Sequence, residues 1–252
     1  MEFLSAVRNR YWILMAPLLL SGCGGQLQWY VISPMTESGR ANLKFLLGGL
    51  KYTLLLSITA ILISIVIGLL VALLGLSKNP IARGFNRVYV ALFRAVPLLV
   101  LILWIYYGLP IVMGLAASAF WAGVIALSLA DSAFEAEIFR AGIQSIDRGQ
   151  LEASDSLGLG YLDRMRYIVL PQAIRRVLPP LGNQLVYMLK MSSLVSVIGM
   201  EELTRRANEL VTSQYRPLEI YTALILEYLV LILLVTAGVS WMERRFSQRD
   251  TH

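Results

Sequence analysis

Cysteine and histidine are nearly missing from this 252-residue chain, which has one of each: Cys23 and the terminal His252. A disulfide framework needs paired cysteines and a His/Cys metal cage needs several ligands, so both are excluded. With the histidine at the last position, no Ser/His/Asp set for nucleophilic catalysis can be assembled. No G-x-x-x-x-G-K-[ST] run occurs either, so this chain has no loop of that type to cradle nucleotide phosphates. Charge is scarce as well. Only 15% of residues are charged, against about 25% in soluble domains. No internal repeat, low-complexity run or separate soluble domain breaks the sequence.

What fills the chain is apolar. Hydrophobic residues make up 57% and the mean hydropathy is +0.66, which places it in a bilayer. The net charge of +6 comes from arginines that flank apolar runs, a pattern that sets membrane topology and does not mark nucleic-acid binding. The first span is expected at 46–76, with no charge from 52 through 77 and with Gly48, Gly68 and Gly75 as points of close helix approach. Lys78, Arg83, Arg87 and Arg94 follow without an acid, so this stretch is expected inside the cell. A second span is read over 88–113, with Trp104, Tyr106 and Tyr107 near the outer interface. A third runs over 118–140, a fourth over 181–200 and a fifth over 220–242, where Glu227 interrupts it. Residues 201–219 carry four acids against three arginines and suit the outside; Arg244, Arg245 and Arg249 anchor a cytoplasmic tail.

The N-terminal stretch has two readings. Arg8 and Arg10 precede an apolar run, 11–20, too short to span alone. Leu20-Ser21-Gly22-Cys23 matches a bacterial lipobox, in which Cys23 is lipidated; alternatively the helix extends to Ile32 as an extra span. Both put 33–51 outside. The organisation is therefore an N-terminal segment and external linker over 1–45, a transmembrane domain over 46–245 and a tail over 246–252. The fold class is an all-α membrane protein with about five core spans.

Two features carry chemistry. In the third span Asp131 and Glu135 lie at i,i+4 on one helix face with Ser128 above them, while Glu137 points elsewhere. Carboxyls inside a bilayer are costly unless they meet a partner or a wet cavity. Asp131, Glu135, Ser128 and Lys190 are candidate polar contacts on a translocation path. Helix–helix hydrogen bonding, or a salt bridge to Lys190, is the structural alternative. Glu137 and Arg140 at i,i+3 form an expected stabilising pair. The second feature is the polar passage 144–181, expected inside the cell. Gly158 and Gly160 end a first short amphipathic helix. A second runs over 161–170 to Pro171, and Pro179-Pro180 separate the passage from the fourth span. Two short helices on a glycine elbow make a docking surface.

The passage Glu152-Ala153-Ser154, then Gly158, then Ile168-x-Leu170-Pro171, resembles the EAA loop of bacterial ABC-importer permeases: EAA, three residues, Gly, nine residues, I-x-LP. Ser154 stands where the family usually has alanine. Three further passages are similar to that family. Phe93-Arg94-x-x-Pro97-Leu98 resembles its F-R-x-x-P-L, and Glu137-Ile138-x-Arg140-x-Gly142-Ile143 its E-I-x-R-x-G-I. Lys190-Met191-Ser192-Ser193-Leu194 resembles K-[DN]-[TS]-S-L, with Met191 replacing a polar residue. The likeness covers 46–245 and implies a type I ABC-importer permease-like helical bundle in the bacterial inner membrane, multi-pass, with a cytoplasmic C-terminus. It implies that Glu152, Ala153, Ser154, Gly158, Ile168, Leu170 and Pro171 couple the chain to a separate ATPase. It also implies a second permease subunit, identical or paralogous, and a periplasmic solute-binding protein. ATP and Mg belong to the ATPase, and no cofactor is expected on this chain. The second and third passages point to the polar amino-acid branch, serving histidine, glutamate, aspartate, glutamine, arginine and opines. Gly158 is expected at a turn where a side chain would clash. The competing class is a proton-coupled secondary amino-acid transporter using Asp131 and Glu135. Such carriers show inverted repeats and broken helices, and neither is expected here.

Overall fold

The computed structural model describes residues 27–247, and every regular element among them is helical. The lipobox at Cys23, the basic pair Arg8 and Arg10, and tail residues 248–252 lie outside the described residues. A short 3-10 turn, Trp29–Ile32, leads to α1, Glu37–Leu47, whose N-cap Thr36 accepts from the Gly39 amide at 3.1 Å. Gly48 and Gly49 keep right-handed helical torsions, so α1 runs on into α2, Leu50–Leu76. The expected external linker is thus largely helix. The pair of glycines is dictated by a neighbour: a Cβ on Gly49 would sit 2.7 Å from the Leu203 backbone nitrogen.

The single span expected over 88–113 is instead two helices. Helix α3, Pro80–Ala95, begins on the Asn79 cap, which accepts from the Ile81 amide at 2.9 Å, with Pro80 in the first turn. Helix α4, Leu98–Met113, leaves it at 99°. The cause is Pro97, which forces Val96 to extended torsions (ψ 125°) and ends α3 there. The third expected span is α5, Ala119–Gln144, capped by Ser118. Helix α6, Arg148–Ser156, starts on Asp147, whose carboxylate accepts from the Gly149 amide at 2.7 Å.

The second half of the elbow departs further from expectation. Pro171 does not end a helix, and Pro179-Pro180 do not separate one from the next: helix α7 runs unbroken over 161–191. A π-helical turn, Met165–Val169, precedes Leu170-Pro171, with the Leu170 amide bonded to the Met165 carbonyl; Trp104–Gly108 does the same before Leu109-Pro110. A proline ring collides with the carbonyl four residues back, and the wider turn moves that carbonyl aside. Tight packing holds the rest: a Cβ on Gly182, two residues past Pro180, would lie 2.3 Å from Val239. Beyond α7 a 3-10 segment, Ser192–Ile198, ends on Gly199 at φ 85°, so the fourth expected span is helical in two styles. Helix α8, Leu203–Gln214, and α9, Pro217–Ser247, complete the chain.

Glu37–Leu76 and Pro217–Arg244 are long and apolar enough to cross a bilayer, and the bent α3–α4 pair makes a third span if counted as one. Helices α5 and α7 have the length, but α5 carries Asp131, Glu135 and Glu137, and α7 carries Pro171, Pro179, Pro180 and several arginines. Small residues let α5 pack closely against α2. Ala60, Ser64 and Gly68 of α2 meet α5 so closely that a Cβ on Gly68 would lie 2.8 Å from the Glu135 Cβ.

Candidate functional site

The α2–α5 contact brings the expected acids together. Asp131 is 3% exposed and Glu135 fully buried. The Ser64 hydroxyl sits 2.9 Å from Asp131 Oδ2 and 2.7 Å from Glu135 Oε2. Gln184 of α7 donates its amide to Asp131 Oδ1 at 2.7 Å. One hydroxyl proton cannot serve both carboxyls at once, and Glu135 Oε1 is buried without a partner. Ser128 is not part of the cluster, since its hydroxyl donates to the Ala60 carbonyl at 3.0 Å. Lys190 is not part of it either: it is exposed in the last turn of α7 and makes no ion pair with Asp131. Helix–helix hydrogen bonding therefore holds the acids, and the salt bridge to Lys190 is absent. Sequence reading missed Ser64 and Gln184, although Ser57 and Ser64, seven apart in an apolar span, marked one face.

Asp131 also borders a cavity of about 120 Å³, lined among others by Arg94, Tyr187, Met188 and Met191. The break at Pro97 is what delivers Arg94 there. Its guanidinium lies 5.0 Å from the Phe134 ring centre, one turn along from Asp131. An acid and an arginine thus face one small apolar-walled space.

The elbow is built from backbone. The Gly158 amide bonds to the Asp155 carbonyl at 3.0 Å and the Leu159 amide to the Ser154 carbonyl at 3.1 Å, the paired bonds of a Schellman ending on α6. Gly158 takes φ 69°, yet a Cβ there would meet nothing within 4 Å. The expected clash is absent, and the left-handed backbone is what calls for glycine. Ser154, 1% exposed, donates its hydroxyl to the Leu151 carbonyl at 2.6 Å, so the departure from alanine is accommodated within the helix. Glu152 and Ala153 are exposed, and Leu157 and Leu162 are 78% and 79% exposed, apolar side chains aimed outward at a polar turn. Ile168 is half-buried, while Leu170 and Pro171 are exposed.

Clips tie the elbow to the bundle. Arg164 pairs with Asp155 across the turn, Gln172 donates to Gln150, and Arg176 donates to the Ser145 hydroxyl at 2.8 Å. Gly142 lets α7 press on the end of α5, where a Cβ would lie 2.3 Å from Val177. These contacts join α6 to α5, which carries Asp131, and to α7, whose Gln184 donates to it. Beside it, Glu137 and Arg140 form the expected pair at 2.6 Å.

Residues 64–248 match the family described as binding-protein-dependent transport system inner membrane component. The chain is 38% identical over 207 residues to the probable glutamine ABC transporter permease protein GlnM of Bacillus subtilis (strain 168), covering 82% of this chain and 95% of that one. It is 35% identical over 209 residues to the arginine transport system permease protein ArtQ of the same organism, covering 83% and 95%. Among solved structures, a chain of an amino acid ABC transporter crystallised with histidines superposes with a TM-score of 0.76 at 42% identity, covering 80% of this chain and 94% of that one.

Proposed function

Because the chain belongs to the family of binding-protein-dependent transport system inner membrane components, we propose that it carries a polar amino acid through a bacterial inner membrane, driven by ATP that a partner subunit hydrolyses. It is a transport subunit, a multi-pass permease of an ABC importer, and the proton-coupled carrier reading is set aside. Two ATP-binding subunits hold ATP and Mg, a second permease completes the membrane pair, and an external binding protein delivers the cargo. The basic end of the bundle, with Lys78, Arg83 and the elbow, lies in the cytoplasm, and so does the C-terminus.

The observation that carries this reading is the elbow: Leu157 and Leu162 stand exposed on a turn whose shape Gly158 fixes and whose clips reach α5 and α7. Glu152 and Ala153, exposed on α6, seat in the ATPase, with Ser154 turned into the fold beneath them, while Ile168, Leu170 and Pro171 follow at the π turn of α7. Closure of the ATPase pair pulls α6, and α5 and α7 tilt with it. Cargo meets Asp131 through its α-ammonium and Arg94 through its α-carboxylate, with Glu135 behind Asp131. A carboxylate and an ammonium attract more strongly in this apolar setting than in water.

The test is crosslinking in the assembled importer with Cys23→Ser as background. Leu157→Cys should bridge to a cysteine in the ATPase groove, and ATP should change the yield. A Leu157→Cys that never crosslinks, or that is labelled only from the periplasm, ends the proposal. Vanadate should stop uptake.

A further inference from the structure

Helix α3 has three faces, and one of them has no partner among the described residues. The packing face is pinned: the Asn86 amide donates to the Val71 carbonyl at 2.8 Å, and Tyr89 Oη lies 2.8 Å from Ser132 Oγ. Gly75 admits Asn86, since a Cβ there would lie 2.9 Å from its amide carbon. With that face fixed, Arg83, Arg87 and Arg94, at i, i+4 and i+11, fall within about 40° of arc on the next face. They line one cleft of about 590 Å³ together with Arg140, Asn86 and Ala91. Glu137, the one acid on its wall, is already held by Arg140. Among the described residues neither Arg83 nor Arg87 is in an ion pair. On the third face Ile81, Phe85, Val88 and Leu92, at i, i+4, i+7 and i+11, are exposed and apolar. A helix divided this way lies at a membrane–water boundary.

The geometry points to a binding site for the phosphate headgroup of an anionic phospholipid in the cleft between α3 and α5, held by Arg83 and Arg87. Planar guanidinium forks match phosphate oxygens in pairs. Ala91 joins the cleft to Val88 and Leu92, along which the acyl chains run, and this continuity favours a lipid over a soluble anion. The importer cargo is a weaker fit, because it has no tail for the stripe. This site goes beyond transport itself, and its readout is lipid retention.

The experiment takes the assembled importer in mixed phosphatidylglycerol and phosphatidylcholine nanodiscs and counts retained lipids by native mass spectrometry. Phosphatidylglycerol should be retained in preference. Arg83→Gln with Arg87→Gln should cut that preference about 25-fold, at about fivefold per basic residue. Lysine at both positions should restore part of it. Equal retention of the two lipids, a double glutamine variant that retains as wild type, or displacement by millimolar inorganic phosphate would each overturn the proposal. If the variant fails to assemble, a photoreactive phosphatidylglycerol on the wild-type importer decides: labelled peptides from 80–95 support the site, and labelling elsewhere sinks it.

Discussion

At the elbow, Leu157 and Leu162 stand 78% and 79% exposed and the backbone alone supplies the shape. Around Asp131 the arrangement is reversed: three of the four carboxylate oxygens of the acid pair lie within hydrogen-bond distance of Ser64 or Gln184, side chains from other helices, and α2 and α5 meet there with no room for a Cβ at Gly68. The first region is a surface whose conformation matters; the second is a joint whose volume and hydrogen bonds matter. A substitution should therefore harm them in different ways, the elbow through activity with the bundle intact and the joint through the bundle itself.

Gly158→Asp tests the elbow side of that contrast and should have the largest effect on transport. A non-glycine residue at φ 69° is strained by about 1–2 kcal/mol. The new carboxylate also stands at the negative end of α6, next to Asp155. Uptake should vanish while the amount of subunit in the membrane holds, since a Cβ there touches nothing. Normal uptake by this variant would show that the elbow is no lever. Gly68→Val is its opposite. Its Cβ meets the Ser132 carbonyl at 3.1 Å as well as Glu135, and backbone cannot retreat. Overpacking of this kind costs about 1–3 kcal/mol, so the thermal midpoint of the purified subunit should fall; an unchanged midpoint would mean that α2 and α5 are less closely joined.

The contrast also explains what could be read beforehand. The spacing of Glu152, Gly158 and Leu170-Pro171 is local, so the elbow was visible in the letters, as was the i,i+4 pairing of Asp131 with Glu135. Proline is the residue that misleads: the single span expected over 88–113 breaks at Pro97, while the stops expected at Pro171, Pro179 and Pro180 are absent. Whether a proline breaks a helix depends on what packs beside it, and a π turn that relieves the clash leaves no mark in composition. Ser64 and Gln184 were out of reach for a related reason: which serine meets which acid is set by the register of α2 on α5, fixed in turn by Gly68. Lys190, expected as a path contact or a salt-bridge partner of Asp131, sits in the last turn of α7, which carries it to the surface.

Ser64→Ala sharpens the joint itself. It removes the hydroxyl that meets both acids and leaves their oxygens buried without it, at about 1–3 kcal/mol. The thermal midpoint should drop, and a midpoint equal to wild type would mean water replaces the hydroxyl. Asp131→Asn separates joint from path. Asparagine keeps the shape and a carbonyl to accept from Gln184, so the subunit should assemble, while uptake falls because the cargo ammonium loses its counter-charge. Full uptake with an unchanged substrate profile would reduce Asp131 to a helix–helix contact.

The smallest effect belongs to the pair at the seam between the two regions. Arg140 holds Glu137 at 2.6 Å, but the two side chains are 37% and 34% exposed, so water screens much of their attraction. Arg140→Gln should cost only about 0.3–0.5 kcal/mol, too little to move the thermal midpoint noticeably in a bundle of this size. Its use is as a control on transmission, because Arg140 lies on α5 between Gly142, where α7 presses, and Asp131. If motion passes by packing, at the seam where a Cβ on Gly142 would lie 2.3 Å from Val177, uptake by Arg140→Gln should stay close to wild type. If uptake instead falls as far as in Gly158→Asp, the ion pair and not the packed seam carries the movement, and the lever must be redrawn through charge.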